Sequence, residues 1–271
     1  MQHRFNMAVM KQDRAALIEL REVSVMQGDT LALDRVSLRI EAGEHVAILG
    51  PNGSGKTTLI RMITRECYPL LREGSAVTIL GRNRWNVFEL RPLLGVVTND
   101  HVAACRREVT ALEVVLAGFH SAIELMPYHA VTEEMRRKAG EQLRALGIEH
   151  LAGRLMTAMS SGEAQRVVIA RALVHEPRAL LLDEPSNSLD LRAQGELRDT
   201  LRDLARAGTG IILVTHHLAD IIPEVERVVL LRGGRVVGDG HKRTLLTAAR
   251  LRELFGAGVE LLERDGFYHL V

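Results

Sequence analysis

Residues 50 to 58, Gly50-Pro51-Asn52-Gly53-Ser54-Gly55-Lys56-Thr57-Thr58, have the types and spacing of a phosphate cradle. The closing glycine, lysine and threonine fit the P-loop pattern, between a short apolar strand, His45–Leu49, and a helix running to about Ile63. Each part has a physical task. Glycines let main-chain N–H groups turn inward around phosphate oxygens. Lys56 brings a point charge to the β- and γ-phosphates, and Thr57 offers a hydroxyl to Mg²⁺.

A phosphate cradle of this kind needs an acid to hold the metal. Leu180-Leu181-Leu182-Asp183-Glu184-Pro185 supplies two at the end of an apolar strand. Asp183 is placed to orient Mg²⁺, and Glu184 to take a proton from an attacking water. A third stretch, Met159-Ser160-Ser161-Gly162-Glu163, precedes a helical run without a breaker. Hydroxyls and open N–H groups at a helix start suit an anion, although, taken alone, they are more often an ordinary serine cap.

The elements that must carry these residues alternate. Ala16–Val25 and Val36–Ile40 read as antiparallel edge strands, and Val77–Leu80 and Leu94–Val97 as further strands. Ala111 to Leu146 reads as helices, broken at Pro127 and stopped at Leu146-Gly147. The α/β rhythm resumes after Gly162 with strand Ala179–Leu182, helix Leu191–Arg206 and strand Ile211–Val214. Val228–Leu231 and Val236-Val237 flank a hairpin turn. Asp265-Gly266 suggests another, linking Val259–Leu262 with Phe267–Leu270. The fold class is α/β: a P-loop core with a mainly parallel sheet, an antiparallel β edge and an inserted helical subdomain.

Composition bounds the function. The chain has 271 residues, 46% of them hydrophobic, and a formal charge of +1, so net charge attracts no polyanion and no nucleic-acid partner is expected. No apolar stretch reaches transmembrane length. Cys67 and Cys105 show no metal-ligand spacing, which points to a reducing compartment.

The ordered set of P-loop, helical insertion, Ser-Ser-Gly-Glu, Leu-Leu-Leu-Asp-Glu-Pro, Ser186-Asn187-Ser188-Leu189-Asp190 and Thr215-His216-His217 resembles the ATP-binding cassette (ABC) family over about Leu17 to Gly240. The resemblance implies ATP and Mg²⁺ as ligands, and a homodimer in which two cassettes sandwich two nucleotides head to tail. Ser160 and the N–H of Gly162 would then meet the γ-phosphate held by the other subunit. Asp190 matches the anchor of the loop that crosses to the partner, and His216 the histidine contacting γ-phosphate and base. Asn99 falls where the family has a metal-contacting glutamine, one methylene longer; Asp100 is its alternative. Gln27, beside Met26, takes the place of the usual aromatic adenine platform.

The resemblance divides the chain into an N-terminal extension (1–16), an ABC ATPase domain (17–240, helical insertion about 100–160) and a C-terminal helix and hairpin extension (241–271). It implies a cytoplasmic ATPase, peripheral on the membrane, that powers importer-type transport through separate integral membrane permease subunits, with metal-chelate or oxyanion cargo. A soluble ABC ATPase without a permease, acting in assembly or repair, is the alternative.

Overall fold

The computed structural model describes residues 16–256 and 260–270. The N-terminal extension, apart from Ala16, and Val259 of the expected last hairpin lie outside them. Strands β1 (Ala16–Gln27) and β2 (Thr30–Glu41) form a long antiparallel pair, longer than expected: the alternation of Val36, Leu38 and Ile40 is interrupted by a register shift at Arg35 (φ 48°), and pairing with β1 resumes beyond it with Leu33 buried. Then come β3 (Val46–Leu49), helix α1 (Lys56–Ile63), β4 (Ala76–Ile79), a short α2 (Val87–Leu90) and β5 (Leu94–Val97). Helices α3 (Asn99–Cys105), α4 (Ala111–Gly118) and α5 (Glu133–Ala145) precede α6 (Ser161–Leu173). The chain continues through β6 (Ala179–Asp183), α7 (Leu191–Arg206), β7 (Gly210–Thr215), β8 (Arg227–Arg232) and β9 (Arg235–His241). It closes with α8 (Lys242–Leu245), α9 (Ala248–Phe255) and the hairpin β10 (Leu261–Arg264)–β11 (Phe267–Leu270).

The main sheet has the order β5-β6-β7-β3-β8-β9, parallel except for β9. The antiparallel part is a separate sheet, β2-β1-β4. Two cores follow from the period of two along each buried strand. Val46, Ile48, Leu181, Ile212 and Val214 face the small sheet and α1. Ala47, Leu49, Leu180, Leu182, Ile211 and Leu213 face α4, α5, α6 and α7. The acids and the switch segment therefore sit at the C-terminal ends of adjacent strands β6 and β7, with the P-loop after β3, where open α/β sheets bind ligands.

Asn99 is the first residue of α3. Thr98 caps that helix by accepting from His101 N at 3.2 Å, and Asp100 in its first turn favours the dipole.

Candidate nucleotide site

The P-loop cradle depends on glycine at two places. A Cβ at Gly50 would strike the Leu231 carbonyl. Gly55 has φ +102°, and a Cβ there would meet the Ala32 carbonyl at 2.6 Å. Gly55 also stands at the cap position of α1 without a side-chain cap, so the first N–H groups of α1 are left for an anion. The Ser54 hydroxyl is buried without a hydrogen-bond partner. Lys56, 5% exposed, donates to the carbonyls of Gly50 (2.9 Å) and Pro51 (3.0 Å), with Nζ 3.3 Å from Glu184 Oε1. Asn52 and Gly53 are exposed at the loop tip.

Glu184 collects the expected groups and one more. His216 Nδ1 lies 3.0 Å from Oε1, a contact whose geometry falls short of a hydrogen bond. Asn187 donates to Oε2 at 2.5 Å. Burial acts to raise the Glu184 pKa, but Asn187, His216 and Lys56 outweigh it and hold the carboxyl below its usual range. The group is thus kept ionised, as a proton acceptor must be. Its backbone has φ 47°, a left-handed conformation that costs a non-glycine residue about 1–2 kcal/mol. The hydrogen bond from Glu184 N to Val214 O (2.7 Å) helps to hold it.

Asp183 differs from its neighbour. Burial, then the Glu184 charge, push its pKa up to about 6, and Oδ1 is buried without a partner. Oδ2 accepts from Thr57 Oγ1 at 3.4 Å. A desolvated carboxylate beside a hydroxyl is a hard oxygen donor set in need of a cation, so these residues fit Mg²⁺.

The structure brings together Gly50–Thr58, Asp183, Glu184 and His216. It also brings Asn99 to them, with Nδ2 3.5 Å from the Glu184 carbonyl. Gln27 joins from the end of β1, where Oε1 accepts from Thr58 Oγ1 at 3.3 Å. Ser160 and Asp190 hold helix starts instead. Asp190 caps α7 through Ala193 N at 2.8 Å. Ser160 caps α6 in a reciprocal box with Glu163. Gly162 has a packing reason as well, since a Cβ there would lie 2.7 Å from Ala193 Cβ. The His217 ring lies against His216 with centroids 3.8 Å apart, tilted by 41°, and its backbone N–H donates to Thr215 Oγ1.

Two polar groups were not singled out from sequence. Asn187 became a partner of Glu184, a role that its place three residues downstream could have suggested. Buried Asp220 accepts from Ser186 Oγ (2.8 Å) and Thr215 Oγ1 (2.7 Å), tying the segment after Glu184 to the one before His216. No local pattern marks a contact spanning 34 residues.

A glycine cradle with a lysine, two acids at the end of the next strand but one and a histidine against the second acid define a P-loop nucleotide hydrolase. The family model described as ABC transporter matches residues 33–187. A hemin import ATP-binding protein of Bradyrhizobium diazoefficiens is 33% identical over 264 residues, covering 93% of each chain. Among solved structures, the cassette CbiO1 of Clostridium perfringens, part of an ABC transporter complex, aligns with TM-score 0.74 and 26% identity over 88% of this chain and 94% of that one. A dimeric cassette in a post-hydrolysis state bound to ADP and Pi aligns with TM-score 0.68 and 28% identity over 83% and 98%. The chain belongs to the ABC transporter family, as an ATP-binding cassette that binds and hydrolyses ATP.

Proposed function

We propose that two copies of this chain hydrolyse Mg-ATP in a head-to-tail dimer and so power import through separate membrane permease subunits. The observation that carries the catalytic half is the convergence of Lys56, Asn187 and His216 on Glu184 beside Asp183 and Thr57. Glu184 accepts a proton from water. The water oxygen attacks the γ-phosphorus, the bond to the β–γ bridging oxygen breaks, and ADP leaves with the electron pair. Lys56 exchanges its carbonyl acceptors for phosphate oxygens. Thr57 and Asp183, with Asn99 at the margin, would hold Mg²⁺, which supplies positive charge against the phosphates. His216 orients Glu184. Ser160 and Gly162 serve the other copy's nucleotide, a reading supported by the exposure of Ser160 at the start of α6 and by the dimeric cassette among the structural relatives.

Coupling to a permease is supported by a groove of about 260 Å³ between the core and the helical insertion. Leu90, Arg91, Leu94, His101, Arg171 and His175 line it. Arg91 and Arg171 donate to the carbonyls of Ser121 and Ala122, and neither forms an ion pair among the described residues. Two such guanidiniums favour a partner segment that brings a carboxylate. His101 lies two residues after Asn99, so an occupant of the groove touches the helix that reaches Glu184. Among the described residues no helix is long and apolar enough to cross a membrane, consistent with separate membrane subunits. Hemin, named for the relative above, supports the metal-chelate reading of the cargo.

Affinity purification from detergent-solubilised membranes tests this. Wild type should bring down a polytopic membrane protein, and Arg91→Glu should lose it while still binding ATP. Equal recovery with the variant, or no membrane protein with wild type, overturns the permease reading.

A further inference from the structure

The start of α6 carries a charge arrangement that the shared-site reading above does not use. Glu163 divides its carboxylate. Oε2 accepts from Ser160 N (2.8 Å) and Ser160 Oγ (2.9 Å), while Oε1 faces Arg154 Nη1 at 3.3 Å. The other Arg154 nitrogen, Nη2, donates to the Ala158 carbonyl at 2.6 Å. Every side-chain hydrogen bond of Ser160 therefore runs to Glu163. The single hydroxyl proton that Ser160 would give to a phosphate is already given to a carboxylate. The Ser160 N–H holds the Glu163 carboxyl below its usual range, so the carboxylate is ionised where a polyanion is to arrive.

Charge at this point decides whether the helix start attracts or repels phosphate. The dipole of α6 favours an anion, and an uncompensated carboxylate one hydrogen bond away would cancel that attraction. Arg154 lies on the carboxylate oxygen not engaged by the serine. It neutralises the charge without competing for the hydroxyl, and its second bond, to Ala158, fixes the guanidinium to the turn that leads into Ser160.

Resting on the shared-site reading, we infer that Arg154 is a positioning residue for the ATP sandwich: it neutralises and holds Glu163, so that Ser160 can exchange its carboxylate acceptor for the γ-phosphate of ATP bound to a second copy. Arg154 acts on association of the ATP-loaded copies and leaves first binding of ATP, which belongs to the P-loop of the same chain, alone.

The test uses the full chain carrying Glu184→Gln to suppress hydrolysis, and measures the ATP concentration giving half-maximal dimer by light scattering. Arg154→Leu should raise it about tenfold, a cost near 1.4 kcal/mol. Arg154→Lys keeps the charge, loses the fork and should fall between. Glu163→Gln should lower it severalfold. Arg154→Leu combined with Glu163→Gln should return to about threefold of the parent or better, because no carboxylate remains to neutralise. Binding of a fluorescent ATP analogue to dilute monomer should be equal in all variants. If the double variant stays as impaired as Arg154→Leu, the arginine merely braces the Ala158 carbonyl and the inference fails. It also fails if Arg154→Leu and Arg154→Lys both match the parent. A parent that remains monomeric with ATP overturns the shared-site reading and the inference with it.

Discussion

Lys56 Nζ stands 3.3 Å from Glu184 Oε1 while donating to two carbonyls of its own loop. The phosphate-binding cation and the proton acceptor are therefore in direct contact, and the ammonium must change partners to reach a nucleotide. Glu184→Gln removes the charge that holds Lys56 back but keeps the size and the Asn187 contact. It should retain or tighten ATP binding and lower phosphate release by about 10²–10⁴-fold. Lys56→Ala should weaken nucleotide binding itself. Wild-type phosphate release from Glu184→Gln would remove Glu184 from the mechanism.

Asp183 predicts a pH dependence. Its folded pKa is raised to about 6 from 3.8, so the folded state binds the extra proton between those values. Stability of the metal-free protein is then fullest below the lower value and falls as pH rises through about 6, by on the order of 2 kcal/mol after allowing for partial solvation. Thermal melts without Mg²⁺ should show the melting temperature dropping between about pH 4 and about pH 6 and levelling off above that. Asp183→Asn should flatten that step; an equal drop in the variant would assign it to another group.

Much of this site was legible from sequence because its chemistry is local. The cradle needs its glycines within a few residues of Lys56, and Asp183 and Glu184 end an apolar strand whose alternation is visible. Helix α7 and strand β5 matched their expected limits for the same reason. The Lys56–Glu184 contact joins residues 128 positions apart, and Asp220 joins two strand ends through hydroxyls, so neither leaves a periodic trace. The α3 helix was missed although its cap, Thr98, and its first-turn Asp100 were in view, because its seven residues are too few to show periodicity.

Asn99 gives a third prediction. It sits at the exposed start of α3, with Nδ2 3.5 Å from the Glu184 carbonyl. An added methylene meets little packing there, so Asn99→Gln should preserve or raise ATPase activity. A loss above about tenfold, roughly 1.4 kcal/mol in the barrier, would show that the shorter side chain is required.

Gln27 bears on base recognition. Its contact with Thr58, in the first turn of α1, brings β1 to the cradle without an aromatic face. Most affinity should come from phosphates, which ATP and GTP share. GTP should bind within about tenfold of ATP, a gap near 1.4 kcal/mol. Gln27→Tyr should tighten both, since stacking discriminates poorly among bases. Titration of both nucleotides decides it, and unchanged affinity in the variant would place the base elsewhere.

The shared site is the central claim, because it assigns Lys56 and Ser160 of each nucleotide site to different chains. Light scattering of the Glu184→Gln protein with Mg-ATP measures it most directly. The mass should double on adding ATP and return to that of one chain with ADP, as expected for a two-fold pair closed by nucleotide. An ATP-saturated variant that keeps the mass of one chain at high concentration, beside a wild type that hydrolyses at full rate, would contradict the account.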